Sequence, residues 1–426
     1  MSWPMLHETI FTLLSLVDIA CINSISDDAL IGVTFALTLY NLMHNSQNVF
    51  AKALRIVSSR FFGAKNINGI RSSLTAATIM TTSVAAFFTI AYLIFGRQFL
   101  GIFSLSIEQQ HMADVYMIAR LPGYIVFAIM SPIIRSLEAQ GQIAKITKIR
   151  FLNMINLPLS IILMQPLGVF GVGLASSIAE LIVLIVLCIV FKPKYARPRK
   201  EHFREIAKFG VSYLPESLIS PITNTIMSNL CLIYLSTEML VISQLVNKLY
   251  DDILNIVYMT TQHAEIVIGR EYGAKNQNGI SSEFKIFRHC YIRVLMIHIP
   301  VSLIFGYIYL GPISNVSDLP FALILLSARI LCEVAFYTEL PARRILYIFG
   351  IIKPVMFARM FGLIVPKLIS LHIALICGAG VFSLPICYFM SDLPCAIVNV
   401  TLLCKKKLTR PLTDPGKDAI TQLETT

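Results

Sequence analysis

Charge is scarce in this sequence: Asp, Glu, Lys and Arg make up 14% of its 426 residues, against 56% hydrophobic. A soluble domain carries roughly a quarter of its residues charged, so water is excluded as the solvent for most of the chain. The alternating segments of about ten residues that build a membrane barrel are also missing. There is no CxxC, and no His clusters around the nine cysteines, most of which fall inside apolar segments (Cys21, Cys188, Cys231, Cys332, Cys377, Cys387). A disulfide framework and a zinc site are thereby excluded, and the cysteines read as small buried apolar residues. No nucleotide-binding loop is present, and no GxSxG, HExxH or paired-acid motif stands in a helical context, so the chain is not expected to be an enzyme.

What is present is a succession of long apolar stretches, such as Leu152 to Leu163, Leu181 to Phe191 and Val294 to Leu310. In a bilayer such stretches span as helices, because a helix pairs its own backbone groups. Spans are expected near 5–25, 29–62, 73–101, 113–138, 149–165, 168–191, 209–234, 239–271, 288–311, 319–347, 354–376 and 379–403. The first apolar segment, Ile10 to Ile25, has no basic region before it and further spans after it, so it is expected to stay as a span. Basic residues fall in every second loop: Lys65 and Arg71, then Lys145, Lys148 and Arg150, then Lys192 to Arg204, Lys275 to Arg288, Arg343 to Lys353 and Lys405 to Arg410. The intervening loops carry Asp27, Asp28, Glu108, Glu238 and Asp318. The positive-inside rule then places both termini in the cytoplasm, which fits twelve spans. The net charge of +11 is thus a signal of topology, and nucleic-acid binding is excluded for want of any aromatic or groove-reading module among the basic residues.

The chain also repeats itself. Arg60-Phe61-Phe62-Gly63-Ala64-Lys65-Asn66-Ile67-Asn68-Gly69-Ile70 returns as Arg270-Glu271-Tyr272-Gly273-Ala274-Lys275-Asn276-Gln277-Asn278-Gly279-Ile280, an offset of 210 residues. Ser26, Asp28 and Leu30 answer to Ser236, Glu238 and Leu240. With a shift of one, Pro132, Arg135, Leu137 and Gly141 answer to Pro341, Arg344, Leu346 and Gly350. Two parallel copies of a six-span unit follow. The expected organisation is an N-terminal six-helix lobe over 1–191, a cytoplasmic linker over 192–208, a C-terminal six-helix lobe over 209–404 and a polar cytoplasmic tail over 405–426. Gly63 and Gly273 are expected to close long spans as left-handed residues.

These features together resemble the MATE (multidrug and toxic compound extrusion) transporters of the MOP flippase superfamily. The resemblance rests on twelve spans in two parallel halves, Val17-Asp18 late in the first span, the Gly-Ala-Lys-Asn turn after the second, Gly141 after the fourth, and Gly168-Val169-Phe170-Gly171-Val172-Gly173-Leu174-Ala175 opening the sixth. It covers essentially the whole chain and lies nearer the NorM-like branch. It implies an all-α polytopic protein whose two six-helix lobes face a central cleft, with influx of H⁺ or Na⁺ driving export of amphipathic, often cationic compounds. No cofactor beyond the coupling ion is implied.

An exporter of this kind needs groups that bind a cation inside the membrane, and an ionised carboxylate there costs roughly 2.5–3.5 kcal/mol on insertion scales. Asp18 matches the family's span-one aspartate, a coupling residue. Asn156-Leu157-Pro158-Leu159-Ser160 resembles the branch's Asn-x-Pro-Leu-Asn run, in which Asn156 offers a carbonyl oxygen beside Asp18 or serves as interhelical glue, and Ser160 stands where part of the branch has an aspartate. In the second half the branch's acidic positions fall near Thr223 and Thr338. Glu216, Glu333 and Glu339 lie close by, either substituting for those acids or pairing with Arg329, Arg343 or Arg344. His263 and Glu265, two residues apart, face different sides of a helix and make no metal pair. The implied function is secondary antiport of organic cations by a monomer in a bacterial inner membrane. The alternative is a flippase for a lipid-linked sugar, for which Arg120, Arg329 and Lys367 speak; a membrane enzyme is the weakest reading.

Overall fold

The computed structural model describes residues 22, 25–101, 105–313 and 318–405. Every regular element among them is helical: α1 Asp27–Gly63, α2 Ile67–Gly101, α3 Ile107–Ala139, α4 Ile143–Arg150, α5 Asn156–Phe191, α6 Lys200–Val211, α7 Ser220–Tyr234, α8 Thr237–Gly273, α9 Gln277–Ile308, α10 Leu319–Cys332, α11 Val334–Ile348, α12 Lys353–Ile376 and α13 Ser383–Lys405. These follow the second to the twelfth expected spans in order. The first expected span lies almost wholly outside the described residues, and the tail beyond Lys405 lies outside them too.

Among the described residues six helices are long and apolar enough to cross a membrane alone, and α10 with α11, bent by 41°, adds a broken seventh. Two features reconcile this with more spans. Ile143–Phe191 runs for 49 residues, about 74 Å at 1.5 Å per residue, more than twice a hydrocarbon core of roughly 30 Å. It turns at Gly168, whose φ of 57° and ψ of −135° leave the helical region, so it serves as two of the expected spans. Helices α1 and α8 have the length, 37 residues each, but include charged residues such as Arg55 and Glu265, which are both buried.

The chain divides into two compact units. One joins the described residues up to Ser58 with Asn66–Val211; the other joins Ser59–Lys65 with the described residues from Ser212 onward. The first has its core around Tyr40, Met43, Tyr116, Met117, Tyr124 and Val172, the second around Leu249, Tyr250, Leu254, Leu326, Phe336 and Tyr337. Part of the expected linker is helical: α6 begins at Lys200, and before it Thr75 Oγ1 on α2 donates to the Ala196 carbonyl at 2.8 Å.

Both repeats solve the same backbone problem in the same way. Pro132 in α3 and Pro341 in α11 lack the N–H that would bond the carbonyl four residues back, at Ala128 and Tyr337. Thr81 Oγ1 donates to Ala128 O at 2.7 Å, and Tyr291 Oη donates to Tyr337 O at 2.9 Å. Thr81 and Tyr291 are themselves one repeat offset apart. Both helices then end alike, with Gly141 (φ 87°) and Gly350 (φ 76°) in the left-handed region. Gln142 N bonds Leu137 O at 3.0 Å, and Ile351 N bonds Leu346 O at 3.1 Å.

Elsewhere the repeat corrects the sequence reading. Gly63 and Gly273 are the last residues of α1 and α8, and the left-handed residues are instead Lys65 (φ 55°) and Lys275 (φ 56°). The glycines answer to space: a Cβ on Gly63 would strike the Arg270 carbonyl, and one on Gly273 the Arg60 carbonyl. Within the second unit, to which Ser59–Lys65 belongs, the two repeated turns lie backbone to backbone. Arg60 reaches the Ile348 carbonyl and lies 5.0 Å from the Tyr272 ring, while Arg270 lies 5.1 Å from the Phe62 ring. Asn66 and Asn276 then cap the following helices, accepting from Gly69 N at 2.8 Å and Gly279 N at 3.0 Å.

Two outcomes are expected from equilibrium unfolding in mild detergent or bicelles. Thr81→Val costs about 1 kcal/mol by stranding Ala128 O, and the same change made on Pro132→Ala, which restores the N–H, costs close to nothing. Gly63→Ala destabilises by about 1–3 kcal/mol through overpacking, whereas Lys65→Gly stabilises by relieving a left-handed conformation worth about 1–2 kcal/mol.

Candidate functional site

Ionised side chains inside a bilayer are expensive and mark pathways or paired networks. In the first unit one such group is Arg120 on α3, 8% exposed. Its guanidinium carbon lies 4.4 Å from the ring centroid of Tyr40 on α1, and its Nη2 is 3.3 Å from Glu180 Oε1 on α5. His44, one turn along from Tyr40, stacks on that ring at 5.9 Å and on Phe127 at 4.1 Å. Gly123, one turn along α3 from Arg120, leaves the space that the Glu180 carboxylate uses, since a Cβ there would stand 2.7 Å from Oε2.

The second unit repeats the frame. Tyr250 on α8 stands 210 residues after Tyr40, and Arg329 on α10 stands 209 after Arg120, the shift of one seen at Pro132 and Pro341; the guanidinium carbon is 4.7 Å from the Tyr250 ring. The carboxylate differs in origin: Arg329 pairs with Glu333 one turn further along the same span, at the residue that joins α10 to α11. Arg329 also lies 3.5 Å from the Tyr388 ring on α13, and Lys367 Nζ on α12 lies 4.7 Å from that same ring. Lys367 Nζ donates to Asn224 Oδ1 on α7 at 2.7 Å. Beside the arginine runs a hydrogen-bonded chain in which the Tyr250 and Tyr337 hydroxyls are 2.8 Å apart and His298 Nε2 is 3.1 Å from Tyr337 Oη.

Further ion pairs brace each unit. Arg55 on α1 lies 3.8 Å from Glu138 on α3, which Arg135 also holds at 2.9 Å. At the offset position of Arg55 stands Glu265 on α8; it accepts from Tyr213 Oη at 2.6 Å and lies 3.9 Å from Arg344 on α11. The sign of the pair is reversed between the repeats, and the helices it ties correspond. Arg343 Nε is 2.8 Å from Glu339, which also accepts from Asn399 Nδ2 at 3.0 Å, and Arg359 pairs with Asp392.

The residues expected to act are placed as follows. Asp18 lies outside the described residues. Ser160 is buried, and its hydroxyl donates to Asn156 Oδ1 at 3.4 Å across one turn of α5. The backbone of Glu216 lies in the π-helical turn Pro215–Ile219, an irregularity frequent at functional sites; its side chain lies outside the description. Glu333 and Glu339 are buried and held by Arg329 and Arg343. Thr223 and Thr338 spend their hydroxyls on carbonyls three residues back in their own helices, at 3.0 and 2.8 Å. The matched pairs Tyr40/Arg120 and Tyr250/Arg329 went unremarked in the sequence, although the repeat offset relates them. Among the described residues no group of three or more His, Cys, Asp or Glu could hold a metal. The arrangement can hold charge and polar head groups.

The family model MatE matches residues 4–162. No curated protein matches the chain. Among solved structures, a MOP superfamily transporter from Pyrococcus furiosus, described as having a binding pocket of reverse polarity that suggests a different function, is similar at 13% identity and a TM-score of 0.86, over 95% of this chain and 94% of that one. A multidrug resistance MATE family transporter of the MOP superfamily in an outward-facing conformation is similar at 14% identity and a TM-score of 0.86, over 95% and 94%. A MATE structure in a bent conformation gives 14% identity and a TM-score of 0.85 over 99% and 95%. The fold is therefore that of the MATE transporters, twelve helices in two lobes.

Arg329→Met alone strands Glu333 and costs about 3–5 kcal/mol, the usual price of breaking a buried pair. Arg329→Met combined with Glu333→Gln recovers most of that loss, as a double-mutant cycle on the reconstituted protein would record.

Proposed function

We propose that this chain is a secondary active exporter of the MATE kind, closest in character to the NorM-like branch, which exchanges H⁺ or Na⁺ for amphipathic small molecules, organic cations among them, by alternating access. The observation that carries the reading is the duplicated arginine-on-tyrosine frame buried inside membrane helices of both repeats. Such charges are retained in spans for pathways and binding sites, and paired six-span repeats are the architecture in which alternating access operates. One coupling charge gains about 2.3 kcal/mol per 100 mV of membrane potential, enough to hold roughly a fiftyfold substrate gradient at 1.4 kcal/mol per tenfold. Asp18 is the proposed coupling carboxylate, and the protein is proposed to work as a monomer in a bacterial inner membrane with both termini cytoplasmic.

A second reading, a flippase for a lipid-linked sugar, is favoured by the buried cations Arg120, Arg329 and Lys367. Everted vesicles carrying the protein or its Asp18→Asn variant, given a ΔpH or a ΔpNa separately, discriminate the two. Uptake of a fluorescent organic cation that follows one gradient and is lost in the variant is the outcome expected of antiport. Absence of flux for every cation under both gradients removes the antiport reading and moves the weight to the flippase.

A further inference from the structure

The buried charges of the second unit can be paired off. Glu265 faces Arg344, Glu333 faces Arg329, Glu339 faces Arg343 and Asp392 faces Arg359. Among the described residues this leaves Lys367 as the buried charge without an acid. It is 1% exposed, its ammonium donates to the Asn224 amide oxygen at 2.7 Å and stands 4.7 Å from the ring of Tyr388, with Cys387, Asp392, Arg359 and Arg329 within electrostatic range. Asp392 is committed to Arg359, so no acid is in direct contact with the ammonium. Arg329, on the same ring, adds repulsion, although its own charge is answered by Glu333.

A lysine placed there for packing alone would be replaced by leucine or methionine at a gain, since an ionised side chain within a spanning helix is costly. An ammonium has three N–H donors, and the amide oxygen takes one of them. Asn224 is itself exposed, so the ammonium stands one amide away from the outside of the unit. With the shift of one that relates Gly141 to Gly350, the matching position in the first repeat is Pro158, flanked by Leu157 and Leu159, so the lysine is not part of the duplicated frame.

We propose that Lys367, Asn224 and Tyr388 form a subsite for one negatively charged head, a phosphate or carboxylate on an amphipathic molecule. The ammonium supplies the charge, Tyr388 supplies an apolar face for the adjoining carbon atoms, and Asn224 fixes the ammonium by accepting one of its hydrogen bonds. The subsite deepens the exporter reading by naming the charge of the head that the second unit takes. It rests on that reading for transport alone, because binding needs no ion gradient.

The test is equilibrium binding to the full chain in nanodiscs of neutral phosphatidylcholine, with radiolabelled decyl phosphate and decyltrimethylammonium as probes of one tail and opposite charge. Wild type is expected to bind decyl phosphate the more tightly. Lys367→Met is expected to weaken decyl phosphate about tenfold or more while leaving decyltrimethylammonium unchanged or tighter, and Lys367→Arg keeps the preference. Competition by inorganic phosphate identifies a free anion as the occupant; competition by lysophosphatidic acid alone identifies a lipid headgroup. Preference of the wild type for the ammonium probe overturns the proposal and requires no variant. Decyl phosphate bound equally by wild type and Lys367→Met, or both probes weakened equally in that variant, overturns it as well. A failure of gradient-driven flux with this binding intact would remove the exporter reading and leave the subsite standing.

Discussion

A carbonyl stranded by proline in hydrocarbon has no water to turn to, and both repeats meet this condition at the same place. Pro132 and Pro341 each release one carbonyl, and a hydroxyl from another helix, Thr81 on α2 or Tyr291 on α9, bonds it. Each bond also ties two helices at a fixed height, α2 to α3 and α9 to α11. The requirement extends to charges. Arg55, Glu265, Arg329, Glu333, Glu339, Arg343, Arg359 and Asp392 are buried, and each has an oppositely charged neighbour. Helices α1 and α8 can therefore be too polar to look like membrane spans by composition and still sit within their units.

Duplication shows which of these arrangements belong to the ancestral unit. The proline with its hydroxyl donor, the left-handed Gly141 and Gly350, the left-handed Lys65 and Lys275, the asparagine caps and the arginine over tyrosine occur in both copies. The details that differ are the carboxylate that answers the arginine, the sign of the pair that includes Arg55 or Glu265, and Lys367, which has no basic counterpart in the first copy. Shared features concern backbone and helix contact, where the same physical problem recurs. Divergent ones concern charge, which is the property a substrate or coupling ion senses.

The helical rods were legible because span length follows from bilayer thickness, and a run of apolar residues measures it directly. The turn after each second span was misread for a physical reason. A glycine at a helix end serves either a positive φ or a close approach, and the sequence around Gly63 holds no sign of Arg270, two hundred residues away, whose carbonyl it admits. The arginine–tyrosine frame was legible in principle through the repeat offset, but single residues do not stand out against a background so rich in aromatics. The contact of Lys367 with Asn224 joins α12 to α7 across 143 residues, and no local pattern encodes it. Glu333 and Glu339 were narrowed to two roles by their arginine neighbours, and the structure gives each a specific arginine.

The two copies of the frame are held with unequal stiffness. In the first unit Arg120 on α3 is tied to α1 by stacking on Tyr40 and to α5 by Glu180, so one guanidinium fastens three helices with a charge pair included. In the second unit the acid lies in the same span, so Arg329 reaches the other helices through the rings of Tyr250 and Tyr388. Cation–π contacts contribute about 0.5–2 kcal/mol, against about 3–5 kcal/mol for disrupting a buried pair. The second frame is also where α10 breaks into α11 with a bend of 41°, at the same Glu333 that neutralises the arginine. The ion pair of the second frame thus lies within one span at its break, and the span is fastened sideways by rings. The first frame joins two helices by its charge pair. The repeat has thus kept one arginine in both copies while pairing it across helices in one unit and within its own span in the other.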